Sequence, residues 1–310
     1  MTTDGVGSAA VRVVSLLPAG TEIVAALGAV RSLVGISHEC DHPAEVTTLP
    51  RVTASVVDRD ASSLAIDAAV RALASGGAPV FTLDADQLAR LAPTLILTQS
   101  LCEVCAVSDG DVRALADVLS PAPRVLPLVG TTLGGVWTDI AVVGDAVGRA
   151  DAAATLVASI AARLRAVHER LKAARARRPR VAVIEWLDPL FIAGHWTPEL
   201  VRRAGGVDAL ASPGAHSVTV TVDQVREADP ELLLFAPCGF DVARAEREAH
   251  TLLARPEWGW VRTRHAWALD GNALTSRPGP RLADAVEVMA AIFAPALFDP
   301  PSERYARELL

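Results

Sequence analysis

The stretch DAAATLVASIAARLRAVHERLKAARARR, residues 151 to 178, constrains this chain more than any other. It holds no Gly or Pro, is rich in Ala, Leu and Arg, and sets Leu156, Ile160, Leu164, Val167 and Leu171 at steps of three and four. That spacing predicts one helix. At about 1.5 Å per residue its roughly 28 residues would reach about 40 Å, more than a single small domain buries. The helix is therefore expected to connect two bodies. Asp151 is placed as its N-cap, Arg175, Arg177 and Arg178 suit the negative end of its dipole, and Pro179 stops it.

A length of 310 residues fits two domains of about 130 residues each plus that connector. The expected division is an N-terminal lobe over 1–148, the helix over 149–179 and a C-terminal lobe over 180–310. With 51% hydrophobic and 21% charged residues, the chain can build two cores. The net charge of -7 argues against nucleic acid or an anionic membrane as a general partner, because phosphate binding needs a cationic face. The N-terminus carries Asp4 where a secretory signal wants positive charge, and no apolar run approaches the roughly 18 residues of a membrane span. A cytoplasmic location is the expectation. Cys40, Cys102, Cys105 and Cys238 are then thiols, ligands or redox groups in preference to structural disulfides.

The fold class is α/β. Buried strands are expected at 11–17, 33–36, 94–98 and 124–128, with 79–83 extended and helices at 21–29, 61–74, 84–91 and 132–147. Together they predict a parallel sheet of four or five strands. Thr21 is placed as the cap of the first helix and Gly28 as its close. After Pro179 the grammar restarts, with strands at 180–186 and 231–236, an extended 265–269, and helices at 198–204, 222–228, 241–254 and 281–293. The path of the 55–80 insertion is not placed by the sequence. ADQLARLAPTLILTQ at 85–99 matches VDQVREADPELLLFA at 222–236, each a helix, a Pro turn and a strand. The halves read as paralogous lobes.

Several segments carry a further pattern: SLLPAGTEIVAALG at 15–28, GISHECDHP at 35–43, LAPTLIL at 91–97, EWLDPLFIAGHWTPELVRRAGG at 185–206 and GNALTSRPGPRLADAVE at 271–287. With the long helix, they resemble the substrate-binding proteins of cobalamin, siderophore and haem uptake, nearest in pattern to the cobalamin-binding branch. The resemblance covers nearly the whole chain. It implies two Rossmann-like lobes with parallel sheets joined by one backbone helix, and a ligand held in the cleft between the lobes. In that family a carboxylate on each lobe docks onto arginines of a transporter permease. Asp86 and Asp223 stand at those positions here, aspartates in place of the family's glutamates.

Ligands of open α/β sheets lie beyond the carboxyl ends of the strands. Those ends carry His38, Glu39, Cys40, Asp41, Gln99, Cys102 and Cys105 in the first half, and Glu185, Trp186, Asp188, His195, Trp196, Cys238 and Arg277 in the second. His38 and Cys40, two apart on an extended segment, are expected to point the same way, and Cys102-x-x-Cys105 can chelate from one turn. These four residues make a Cys3His metal site, with Zn the default and Fe the other candidate. The open alternatives are ligand contact, redox chemistry, or buried polar groups that hold two loops. Trp186 and Trp196 suit an aromatic wall for a flat macrocycle. His195, exposed beside a helix start, is a candidate axial ligand to cobalt or iron. Glu185 ends a buried strand and needs a partner, for which Arg277 is the candidate.

No phosphate loop, GxGxxG or GxSxG is present. The leading expectation is a cytoplasmic small-ligand binding protein for a corrinoid-like or metal-chelate ligand, contacted by His38, Glu39, Gln99, Glu185, Trp186, His195, Trp196, Cys238 and Arg277. One rival is a metal-dependent enzyme on the same scaffold, with Glu39 or Glu185 as base. The other is the substrate-binding component of a cobalamin or metal-chelate importer.

Overall fold

Short apolar strands alternate with helices along the whole chain, of which the structure, a computed structural model, describes residues 11–100 and 109–310. In chain order the first elements are β1 (Val13–Ser15), α1 (Pro18–Ala26), β2 (Leu33–Ile36), β3 (Thr53–Ser55), α2 (Ser63–Ser75), β4 (Phe81–Leu83), α3 (Ala85–Leu91) and β5 (Leu95–Gln99). Next come α4 (Asp109–Val118), β6 (Arg124–Leu128), α5 (Leu133–Ala146), α6 (Ala150–Ala173), β7 (Arg180–Leu187), β8 (Leu190–Ile192), α7 (Thr197–Arg203), β9 (Val207–Asp208) and β10 (Val218–Thr219). The remainder is α8 (Val222–Glu227), β11 (Leu232–Phe235), α9 (Val242–Leu253), β12 (His265–Leu269), α10 (Gly271–Leu274), α11 (Leu282–Phe293) and β13 (Ala306–Glu308). The chain divides into two compact units. One takes the described residues among 1–56, 79–129 and 140–153, the other those among 57–78, 130–139 and 154–310.

In the first unit a parallel sheet runs in the order β2-β1-β5-β6. Its strands are continuous apolar runs because a parallel sheet is covered on both faces. Val14, Leu16, Val52, Leu88 and Ile96 pack with Val112 and Ala116 of α4 as its core. β3 and β4 form a separate antiparallel pair. Helix α1 starts three residues before the expected cap, at Pro18. Proline lacks the N–H that a first helical residue would leave unpaired, so it starts the helix without a capping side chain. Thr21 is consequently buried inside α1, while Gly28, at φ +68°, closes the helix as expected.

The second unit is built on a seven-stranded sheet, β10-β8-β7-β11-β12-β13, with β9 beside β7. β7, β11 and β12 are parallel, but β8 and β13 run antiparallel to them and β10 antiparallel to β8, so this sheet is mixed and not the purely parallel one expected. The cause is local: Asp188 and Pro189 alone join β7 to β8, and a parallel partner needs a crossover of about a dozen residues or more. Trp258, 1% exposed, fills the core with its ring 6.1 Å from Phe235 and stacked 6.0 Å from Trp260. α11 buries every residue except Asp284 and Glu287, as its almost wholly apolar sequence requires. The 57–78 segment belongs to this unit. Arg244 of α9 donates to the carbonyls of Arg59 and Ala61, and Ser63 N–H donates to Glu248 Oε2 at 3.2 Å.

α6 spans 24 residues and stops before the Arg cluster instead of running on to Pro179. Ile160, Leu164, Val167 and Leu171 form its buried stripe, and Arg163 bonds Asp284 and Glu287 of α11 at 2.5 and 2.6 Å. The stop is a Schellman-type closure: Arg175 sits at φ +48° and the Ala176 N–H returns to Leu171 O at 3.0 Å. The end of α7 crowds the same turn, since a Cβ on Gly205 would lie 2.8 Å from Leu171 Cδ1. Asp151 falls in the first turn of α6, not before it.

The internal match is structural as well as textual. Asp84 Oδ1 accepts from Gln87 N–H at 2.8 Å, and Thr221 Oγ1 accepts from Gln224 N–H at 3.1 Å, so both helices are capped at the same position. Leu88 and Val225 are both fully buried, and both helices leave through positive φ, at Ala92 (40°) and Asp229 (47°), immediately before Pro93 and Pro230. Asp84→Ala and Thr221→Ala are each expected to cost about 1 kcal/mol. Urea denaturation checks both; Gln224 also accepts from the Thr221 backbone N–H and completes a capping box, a bond that Thr221→Ala leaves in place.

Candidate functional site

At the carboxyl edge of the first unit the sequence expectation fails in one respect. His38 and Glu39 form a turn, with the Cys40 N–H on Ser37 O at 3.2 Å, so the alternation of an extended strand does not apply. The imidazole and the thiol meet different partners. His38 Nδ1 lies 2.7 Å from Thr53 Oγ1 and its ring 5.5 Å from Phe81, whereas Cys40 is buried with Sγ 3.1 Å from Thr21 Oγ1. Arg51 holds the turn by donating to His38 O at 2.5 Å and Ser37 O at 3.2 Å. Glu39 Oε1 is 4.0 Å from His38 Nε2, Asp41 is exposed, and Gln99 is half-buried at the end of β5. Cys102 and Cys105 lie outside the described residues. Among the described residues no three His, Cys, Asp or Glu side chains are grouped to hold a metal ion.

The second unit gathers a denser set where β7, β11 and β12 end. Glu185 and Trp186 are half-buried, Cys238 is exposed, and the Cys238 N–H donates to Glu185 O at 3.0 Å. Trp186 tilts against Phe240 at 5.4 Å, and the Arg244 guanidinium sits 3.6 Å over the Phe240 ring. Trp186 Nε1 is buried with no hydrogen-bond partner among the described residues. Arg277, 4% exposed, donates to Asn272 Oδ1 at 2.7 Å. Asp270 caps α10 through the Ala273 N–H, and burial pushes its carboxyl above the ordinary 3.8. Asp188 is tied to Arg255 at 2.8 Å. The two tryptophans expected to form one wall have different roles. Trp196 is buried and commits its N–H to Thr275 O at 2.8 Å, which leaves Trp186 as the indole with an unspent donor.

His195 is the most constrained of these residues. It is a non-glycine residue at φ +53°, a backbone that costs an L-residue about 1–2 kcal/mol. Two loops impose it by crossing. His195 N–H donates to Ala215 O at 2.6 Å, Gly214 N–H donates to His195 O at 2.8 Å, and Gly194 N–H donates to Ser217 Oγ at 3.0 Å. The crossing sets the His195 ring 5.3 Å from His216, at 88° to it, and 5.6 Å from Trp196. The ring is half-buried where an exposed one was expected, and Nε2 is buried without a hydrogen-bond partner among the described residues. Leaving such a nitrogen unpaired costs about 1–3 kcal/mol.

Burial, and secondarily the neighbouring His216, hold the His195 imidazole below its ordinary 6.5. It stays neutral, with a lone pair for a metal, at a pH where a free imidazole would be charged. The unfolded chain takes up this proton first as pH falls, so the stabilising contribution of neutral His195 is complete above 6.5 and is lost progressively below it. Denaturation midpoints between pH 7.5 and 5 are expected to decline less in His195→Asn than in the unsubstituted chain.

The signature of the family described as periplasmic binding protein matches residues 13–264. The chain belongs to the periplasmic binding protein family. Within this family's fold it is similar to the periplasmic haem-binding protein of Pseudomonas aeruginosa, with a TM-score of 0.71 and 22% identity over 96% of this chain and 97% of that one. An ABC transporter substrate-binding protein from Listeria monocytogenes EGD-e gives 0.67 and 16% over 91% and 98%. The periplasmic vitamin B12 binding protein of Vibrio cholerae gives 0.62 and 20% over 92% and 97%. No curated protein matches the chain. Asp86 and Asp223 are exposed in the first turns of α3 and α8, one in each unit, and Asp223 pairs with Arg226 at 2.8 Å. Sequence reading of this periplasmic binding protein missed His216, Phe240 and Asn272. His216 lies 21 positions beyond His195 in an irregular polar loop, and no spacing rule joins the two.

Proposed function

We propose that this member of the periplasmic binding protein family binds a metal-chelate small molecule, haem or a corrinoid, and that His195 supplies the imidazole that meets the metal. The observation that carries this reading is the buried, unpartnered Nε2 of a residue held at φ +53°. A chain that selects for stability alone would favour Gly or Asn at that backbone. The lowered pKa supports the same role, because only neutral imidazole is a ligand. Trp186, near the end of β7 in the same unit, adds an aromatic face and an unspent N–H. Haem and vitamin B12 are named for structurally similar proteins, which makes them the probes of choice.

Absorbance titration of the purified protein with haemin, cyanocobalamin and cobinamide tests the proposal. A saturable shift of the metal-centred bands is expected with one of the three. Flat titrations with all three would remove the proposal.

A further inference from the structure

A concentration of positive charge in the second unit plays no part in that reading. Where α6 and α7 both end, Lys172, Arg175, Arg178, Arg202 and Arg203 surround an open hollow of about 430 Å³, with His168 at its rim. Among the described residues no carboxylate lines it. This stands against a chain whose net charge is -7. Cations near a helix C-terminus offset its dipole, but that dipole amounts to about half a charge and is felt only within the last turn. Here the cations exceed that need. Arg202 is bonded to Glu199 at 3.0 Å and Arg178 to Gly206 O at 2.7 Å, while the side chains of Lys172, Arg175 and Arg203 have no hydrogen bond or ion pair among the described residues.

The backbone adds a second, independent observation. The residue that closes α6, at φ +48°, is Arg175, although this position ordinarily selects glycine. The strain places a guanidinium at the rim of the hollow. His168 and Lys172, four apart, share a face of α6, Arg175 follows in its closing turn, and Arg202 and Arg203 come from the last turn of α7.

We infer that this hollow is a binding site for a compact phosphate-bearing polyanion, separate from the His195 loop. Guanidinium forks match phosphate oxygens in pairs, and several converging cations exceed what a single carboxylate can neutralise. The volume falls in the range of small-molecule sites, about 300–1,000 Å³. The same chemistry could come from a soluble di- or triphosphate or from a lipid headgroup, and the test has an arm for each.

In one arm, calorimetric titration of the full chain at low salt uses pyrophosphate and ATP without metal. In the other, the chain is sedimented with phosphatidylcholine vesicles with and without phosphatidylglycerol. Binding is expected in at least one arm, weakened by at least about tenfold in the exposed double variant Lys172→Glu/Arg203→Glu. Arg31→Glu, an exposed cation of the first unit, should leave it unchanged. Arg175→Gly removes one cation at a φ that glycine prefers. It is expected to weaken binding about threefold with the fold intact, which guards against a misfolded double variant. Binding of the soluble polyphosphates assigns the site to a free ligand, and binding of anionic vesicles alone assigns it to a headgroup. No binding in either arm, or binding that Lys172→Glu/Arg203→Glu and Arg175→Gly leave untouched, overturns the inference.

Discussion

Replacing His195 by asparagine is expected to abolish the metal-centred absorbance change while leaving the fold at least as stable. Both halves follow from the same geometry. Mutating groups that merely orient a metal ligand costs about 10–100-fold in affinity, so losing the ligand itself should cost at least the upper figure. The backbone at residue 195 is at φ +53°, a region that asparagine occupies more readily than most side chains. The substitution also deletes the unpaired Nε2. Relief of these two costs should outweigh the lost ring contacts with His216 and Trp196, for a net gain of about 1 kcal/mol in chemical denaturation. Loss of binding with no loss of stability separates a functional residue from a structural one. Should the asparagine variant titrate as the parent does, or melt as though a core residue had been removed, the assignment of His195 to the metal fails.

Gly194→Ala should have the opposite profile, with fold and function lost together. A Cβ at 194 would lie 2.5 Å from Ala215 O and Ser217 N and 2.6 Å from His216 C. All three are backbone atoms of the crossing loop, so no side chain can swing aside. The loop must separate from the 193–196 segment, which breaks the bonds of His195 N–H to Ala215 O and of Gly194 N–H to Ser217 Oγ. A cost of about 3 kcal/mol is expected, near the upper end for overpacking. The natural control is Gly239→Ala, where φ is +76° but a Cβ would meet nothing within 4 Å, and where about 1 kcal/mol is expected. Equal costs at the two positions would show that the crossing is not rigid, and the constraint on His195 would then have no source.

Much of the fold was legible because its signals are local. The strands at Arg124–Leu128 and His265–Leu269 sit where the apolar runs placed them, and the repeated Asp-Gln segments gave two helices with matching caps and matching exits before proline. The family match over 13–264 takes in the segments at 15–28, 35–43, 91–97 and 185–206 that carried the resemblance, and stops before the one at 271–287. The errors have a common cause. α6 was read too long because Arg175 has no propensity to end a helix, and the helix ends where Gly205 presses on Leu171. His38 and Cys40 were read as one chelating pair because strand alternation was extended past Ile36, where the chain had already turned.

The caps placed at Thr21 and Asp151 were not borne out, whereas most helix and strand identity and the membership of the family were written in the sequence. The site was not. His195 owes its left-handed backbone to the loop of His216 that crosses it, burial and then His216 lower its pKa, and Lys172 meets Arg203 around one hollow only because two helices end side by side. Such meetings are decided by long-range packing, which brings together residues that no local periodicity connects.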